Sequence, residues 1–303
     1  GGTVELFKSL EAYGITTHYV RENVPEAYGE LINEKTRVVF AETIGNPKLD
    51  VTDIEAVAKV AHEHGLPLIV DNTVATAYLV RPLDLGADIV VNSSSKYING
   101  NSDAISGILT YGGKFDWDFE KYPGLAPYKR FGKMAYMVKL RGEFFQNTGA
   151  CLSPQNAFLN NLGVETLGLR MERQCSNALA LATFLEGLSS DITVNYPGLA
   201  SSPYHALAKK QLHGGYGAIV TFRAGSREKA FSIINALKIP YILSNIGDTK
   251  TLVIHPASTI AIHLNEKEQE LSGVYEDLVR ISVGIEDIED LKEDFKQAIL
   301  STK

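Results

Sequence analysis

Three short apolar runs, each closed by a polar cluster, constrain this chain more than any other feature. They cover residues 36–41, 68–70 and 89–91, with helix-like stretches between them. Apolar runs this short that do not alternate with polar residues read as strands buried on both faces. Strands that alternate with helices predict a parallel or mixed sheet flanked by helices on both faces. Ligands of such sheets bind beyond the carboxyl ends of the strands. Asn46, Asp71 and the stretch Ser93-Ser94-Ser95-Lys96 all follow apolar runs at that edge.

The flanking pattern fills in the elements. Residues 3–13 predict a short amphipathic helix stopped by Gly14, and residues 15–20 a strand. Residues 26–34 predict a helix. Asp53 is placed to cap a helix from Ile54 to His64, with Ile54, Val57, Ala58 and Ala61 on its apolar face. Residues 73–87 are expected to be irregular, and 105–111 a further strand. Residues 112–149 form an aromatic-rich insertion without a period, either a cover for substrate or a subunit contact. Ser153 and Pro154 open a long helical stretch, with a break expected within it. Beyond it come shorter strands at 218–222, 252–255 and 278–283, and helices at 226–237 and 287–300. The division expected is a large domain over residues 1–150 and a smaller α+β domain over 151–303 that includes the linking helix.

The 303 residues are 45% hydrophobic and 21% charged, a soluble globular balance. A net charge of -7 without a basic block argues against nucleic acid and anionic membrane as partners. No apolar run approaches the ~18 residues of a spanning helix. The sequence opens without a signal-peptide pattern, and Cys151 and Cys175 have neither metal-ligand nor framework spacing. A cytoplasmic location is the expectation. Gly1-Gly2-Thr3 runs straight into the periodicity of Val4, Leu6, Phe7 and Leu10, so a preceding segment is expected.

Four groups carry candidate chemistry, and each has a plain alternative. Lys96 is either a solvated surface charge or, after a buried strand, an amine of lowered basicity able to reach an aldehyde. Asp71 is either a turn cap or a carboxylate for a ring nitrogen. Ser93 and Ser95 are either turn formers or, if extended, two hydroxyls on one side facing a phosphate. Arg280, inside the apolar run 278–283, either meets an acidic partner or binds an anion. His255 and His263 have no third ligand at metal spacing, so structural roles are expected. No G-x-G-x-x-G occurs, and the Walker-like run 107–114 has Gly113 where the lysine belongs. A lysine, a strand-end carboxylate and phosphate-binding hydroxyls are together what a pyridoxal phosphate (PLP) enzyme needs.

The chain also resembles a known family, the Cys/Met-metabolism or transsulfuration PLP-dependent enzymes of fold type I. The matching stretches are residues 42–47, Asp71-Asn72-Thr73, Ser93 to Tyr97, His255-Pro256-Ala257-Ser258 and residues 280–286. Residues 41–47, Asn245-Ile246-Gly247-Asp248 and the insertion after residue 111 are most similar to its O-acetylhomoserine sulfhydrylase branch.

The resemblance implies Lys96 as the Schiff-base lysine and proton shuttle, Asp71 on the pyridine nitrogen, and Ser93 and Ser95 on the phosphate. It implies Arg280, with Asn46 and the Asn245 backbone, as the site for the substrate carboxylate. The implied reaction is γ-replacement on O-acetylhomoserine by sulfide or a thiol, giving homocysteine or methionine and acetate. Cystathionine γ-synthase or γ-lyase and methionine γ-lyase activities are the alternatives within the family, and a non-catalytic remnant is the alternative outside it. A homotetramer is implied, as is an N-terminal segment supplying a phosphate loop, a ring-stacking aromatic and groups for a neighbouring subunit.

Overall fold

The computed structural model describes residues 2–302; Gly1 lies outside them. Two sheets divide the strands. In the first, β1 (Val39–Glu42), β2 (Leu68–Asp71) and β3 (Ile89–Asn92) are parallel, and β4 (Ile108–Tyr111) closes the edge antiparallel to β3. The apolar run 36–41, expected to be a buried strand, begins its ladder three residues later than its sequence suggests, with Val38 still 43% exposed.

Helix α1 (Gly2–Leu10) sets Phe7 edge-on against Phe40 of β1, with ring centroids 5.1 Å apart. A 3-10 turn (Glu11–Tyr13) continues the helical stretch to Gly14, which stops it as expected in the left-handed region at φ 78°. The expected strand at 15–20 is absent. Ile15 and Tyr19 are about half exposed and that segment joins neither sheet. Its β-branched composition finds no neighbouring strand among the described residues, and propensity without a partner does not make a sheet.

Helix α2 (Pro25–Leu31) is followed by α3 (Ile54–Glu63), whose Asp53 cap accepts from the Ala56 amide. The buried residues of α3 are Ile54, Val57, Ala58 and Ala61, and they pack on Val39, Ala41, Leu68 and Val70. Residues 73–87 contain a short helix, α4 (Thr76–Leu79), and a 3-10 turn at Pro82–Leu85.

The insertion is ordered around its own aromatic cluster. Phe115, Trp117 and Leu125 are buried among Tyr111, Phe119, Tyr122 and Tyr136. A long 3-10 run (Pro123–Met134), α5 (Ala135–Lys139), a π-helical turn (Leu140–Phe145) and α6 (Gln146–Thr148) follow. The Tyr122 hydroxyl donates to the carbonyl of Arg37 at 2.9 Å, and the Lys121 amine to that of His64 at 2.8 Å. Both carbonyls precede their strands, so this part of the insertion docks at the amino end of the sheet, away from the candidate site. It does not cover that edge.

The helical stretch from Pro154 breaks once, at Thr166, into α7 (Pro154–Glu165) and α8 (Leu167–Glu186). Ser153 caps α7 by accepting from the Asn156 amide. The second sheet has the order β5-β6-β9-β8-β7, with β5 (Thr193–Asn195), β6 (Ile219–Arg223), β7 (Tyr241–Ile242), β8 (Leu252–Ile254) and β9 (Leu278–Ser282). Around it lie α9 (His205–Gln211), α10 (Arg227–Ala236), α11 (Glu266–Leu271) and α12 (Ile288–Ser301). Met171, Cys175, Ala178, Leu181, Ala182 and Leu185 of α8 join Phe222, Val279, Ile281 and Phe295 in the largest core cluster, which also reaches Ile44, Val74 and Tyr97. That shared core brings the two sheets together at the carboxyl edge of the first.

Candidate active site

Lys96 and Arg280 reach the same cleft from opposite sheets. The turn after β3 carries Lys96, half-buried, and its Nζ donates to Asn245 Oδ1. Burial, and behind it the positive charge of Arg280, lower the basicity of this amine. The solvated-lysine alternative therefore does not describe it.

The Asn245 amide is itself held. Its Nδ2 donates to Ser102 Oγ at 2.7 Å, and Ser102 donates to Asp248 Oδ2 at 2.5 Å. Such a chain leaves the amide oxygen facing the lysine. Ser102 sits at φ 61°, outside the ordinary range for a serine.

Arg280 is 3% exposed in the middle of β9. Its guanidinium donates to Asn46 Oδ1 at 3.2 Å and to the Asn245 carbonyl at 3.0 Å. The Nε is buried without a partner, and among the described residues no carboxylate lies at salt-bridge distance. The acidic-partner alternative is excluded, and an uncompensated cation is left facing the cleft. Burial pulls Arg280 down to about 10, still charged at neutral pH.

At the end of β2, Asp71 Oδ1 accepts from the Thr73 amide at 2.9 Å and from the Thr73 hydroxyl at 2.5 Å. The same hydroxyl accepts from the Ser93 amide at 2.8 Å. Thr73 therefore ties the β2 carboxylate to the β3 exit, a role that sequence reasoning missed. Its only signal was the Asp-x-Thr spacing of a side-chain turn. Asp71 Oδ2 receives no bond among the described residues. Burial raises Asp71, and the Thr73 bonds oppose that. Glu42 lies next to Asp71 in the β1–β2 register and is pushed up to about 7, by burial first and by the charge of Asp71 second. It too was missed, although it closes an apolar run as Asp71 does.

The serine pair differs from expectation. The chain is not extended after β3: the Lys96 amide bonds the Ser93 carbonyl at 3.2 Å, closing a turn. Ser93 Oγ is free of partners among the described residues. Ser95 Oγ accepts from the Ser106 amide at 2.8 Å and donates to the Ser106 carbonyl at 3.1 Å, so its hydrogen is already used. Alternate residues no longer share a face once the backbone turns.

His255 bonds Ser258 Oγ and the Glu276 carbonyl, as a structural histidine does. Among the described residues no cluster of His, Cys, Asp and Glu is arranged to hold a metal. No helix there is long and apolar enough to cross a membrane.

An amine of lowered basicity, a strand-end carboxylate with one open oxygen, a free hydroxyl and a buried unpaired guanidinium are groups able to hold a carbonyl cofactor and an anion. The family model of the Cys/Met metabolism PLP-dependent enzymes matches residues 1–300. The homocysteine synthase of Schizosaccharomyces pombe is 44% identical over 99% of this chain and 73% of its own length. The O-acetyl-L-homoserine sulfhydrylase of Leptospira meyeri is 43% identical over 99% of this chain and 72% of its own.

Two solved structures are also similar. One is the O-acetylhomoserine sulfhydrylase of the methionine biosynthetic pathway of Wolinella succinogenes (TM-score 0.83, 42% identity, 98% of this chain and 82% of that one). The other is a provisionally assigned O-acetylhomoserine (thiol)-lyase from Campylobacter jejuni that holds N'-pyridoxyl-lysine-5'-monophosphate. It matches with TM-score 0.93 and 33% identity over 99% of this chain and 75% of that one. This chain belongs to the Cys/Met-metabolism family of PLP-dependent enzymes.

The donor set fits PLP. A primary amine, a carboxylate oxygen left open by Thr73, and an unpartnered Ser93 hydroxyl answer an aldehyde, a protonated ring nitrogen and a phosphate.

Proposed function

We propose that this chain catalyses γ-replacement on O-acetylhomoserine by sulfide or a thiol, forming a C–S bond at Cγ and releasing acetate. The observation that carries the reading is the buried guanidinium of Arg280, bonded to Asn46 and the Asn245 carbonyl without a counter-ion, while Lys96 bonds the side-chain oxygen of the same Asn245. A substrate carboxylate there would leave the amino end of the molecule turned toward the lysine. The names of the relatives favour the same reaction.

In this reading Lys96 anchors PLP, and Asp71, Ser93 and the turn held by Ser95 complete the cofactor's seat. PLP, when bound, supplies the electron sink for negative charge developing beside the substrate nitrogen. Asp71 would hold a proton on the ring nitrogen through Oδ2, steadied by Thr73. Lys96, its amine already poor at retaining a proton, would take protons from Cα and Cβ and return them, with Asn245 Oδ1 as its resting partner. Arg280 and Asn46 would keep the carboxylate fixed while acetate departs.

In this reading residues 1–150 form the PLP-binding domain, which also lends Asn46 to the substrate carboxylate, and 151–303 the domain that carries Asn245 and Arg280, within a cytoplasmic homotetramer. Light scattering on the purified full-length enzyme tests the assembly.

The decisive experiment supplies O-acetylhomoserine with sulfide, then with methanethiol, then with cysteine, and identifies the thioether by mass. Homocysteine from sulfide is expected to exceed cystathionine from cysteine by at least about tenfold. Preferential cystathionine formation, or elimination without sulfur addition, refutes the reading.

A further inference from the structure

Helix α8 carries two buried stripes side by side. One is the apolar stripe that packs the core. The other is polar, with Arg170, Gln174 and Asn177 spaced by four and then three residues, which places them on one face. They are 6%, 0% and 2% exposed. A helix that had only to be packed would carry apolar side chains there, since buried polar groups are costly unless bonded.

All three aim their donors at main-chain carbonyls. Arg170 donates to Tyr97 at 2.6 Å, Ile98 at 3.1 Å and Gly163 at 2.7 Å; its Nε bonds Thr166 Oγ1 at 3.0 Å. Gln174 Nε2 donates to Asp248 at 2.7 Å. Asn177 Nδ2 donates to Gly284 at 3.1 Å and to Glu286 at 2.9 Å. Each target loop is the continuation of a site residue: Tyr97 follows Lys96, Asp248 lies just after Asn245, and Gly284 just after Arg280.

The loops are also strung together. The Ile285 amide bonds the Thr249 carbonyl, and the Thr249 amide bonds the Gly100 carbonyl, each at 2.9 Å. The approach between them is close. A Cβ at Gly247 would lie 2.6 Å from the Tyr97 nitrogen, and one at Gly163 would lie 2.4 Å from the Ile98 and Asn99 carbonyl oxygens. With backbones this near, the relative height of the three loops is set by the α8 donors together with the Ser102–Asp248 and Thr251–Glu286 bonds between the loops.

We infer that Arg170, Gln174 and Asn177 are positioning residues that hold Lys96, Asn245 and Arg280 in register across the two sheets. The catalytic meaning of that register rests on the proposed function; the register itself does not.

The test is hydrogen exchange by mass spectrometry on the full-length enzyme and its variants, paired with steady-state kinetics. Gln174→Met is expected to speed exchange at Thr249 at least tenfold, Arg170→Met at Gly100, and Asn177→Leu at Ile285, with β1 and β2 unchanged. In turnover, Arg170→Met should lower kcat about tenfold with KM within threefold. Gln174→Met and Asn177→Leu should instead raise KM for the amino acid about tenfold with kcat within threefold. Arg170→Lys, which keeps the charge and some donors, should recover part of the loss and serves where Arg170→Met does not fold.

Exchange that is unchanged in all three loops, or that rises uniformly through both sheets, overturns the inference. So does a kcat loss shared equally by all the variants. Localised exchange in an enzyme whose wild type does not turn over O-acetylhomoserine would uphold the register and refute the functional reading instead.

Discussion

The two sides of the cleft solve opposite electrostatic problems. On the first sheet the reactive groups stand on turns at strand ends, where Lys96 is only half-buried and its basicity is eased down by partial desolvation and by Arg280. On the second sheet Arg280 is sealed inside a strand, 3% exposed, without an acid to balance it. The first arrangement lets an amine gain and lose a proton. The second keeps a permanent charge that is costly until an anion arrives. Reactivity is placed where the backbone can turn, and recognition where it cannot.

Lys96→Ala tests the first side most severely. Turnover of O-acetylhomoserine should fall at least about 10³-fold, beyond the loss typical of a single general base because the anchor is lost too. Borohydride reduction followed by peptide mapping should no longer find the cofactor on the 96-containing peptide. A cofactor still attached at another lysine breaks the comparison.

Arg280→Met tests the second. Truncating one partner of a buried charged pair costs about 2–5 kcal/mol, so KM for the amino acid should rise about thirtyfold or more. Removing an uncompensated buried charge should leave the melting temperature of the substrate-free protein unchanged or higher. A drop in melting temperature would mean that the guanidinium supports the fold rather than awaiting a ligand.

Glu42→Gln sharpens the contrast on the first side. Glu42 is raised from 4.5 to about 7, so the folded state binds the extra proton between those values. Its stability contribution is intact near pH 4.5 and declines as pH rises toward 7. Chemical denaturation of the cofactor-free protein should therefore show wild type losing about 3 kcal/mol relative to Glu42→Gln between pH 4.5 and 8. Parallel pH profiles would show that Glu42 does not titrate in that window.

The smallest effect on turnover belongs to the insertion. Trp117→Ala removes the centre of the aromatic cluster and should cost about 3 kcal/mol of local stability. Because the cluster docks at the amino end of the first sheet, kcat should stay within about twofold. A larger loss would bring the insertion into the cleft.

Much of this was legible in the chain itself. The three apolar runs, the Asp53 cap with its buried face on α3, a break somewhere in the long helical stretch and the strand around Arg280 all follow from local chemistry and periodicity. Lys96, Asp71 and Arg280 stood out because each is a charged residue at or in an apolar run, which is unstable without a reason. What was not legible depends on partners far away in sequence. Residues 15–20 have strand composition but no neighbour to pair with. Ser95 Oγ bonds Ser106 both as acceptor and as donor, because the backbone turns where an extended strand was assumed.

The amino-acid sequence alone determined which groups are available and which strand ends carry them, since burial and turn formation are decided within a few residues. Only the tertiary structure decided that Arg280 has no acid, that Asn245 faces Lys96, and that α8 bonds all three loops. Those facts join residues more than seventy positions apart, and no local preference carries information over that distance.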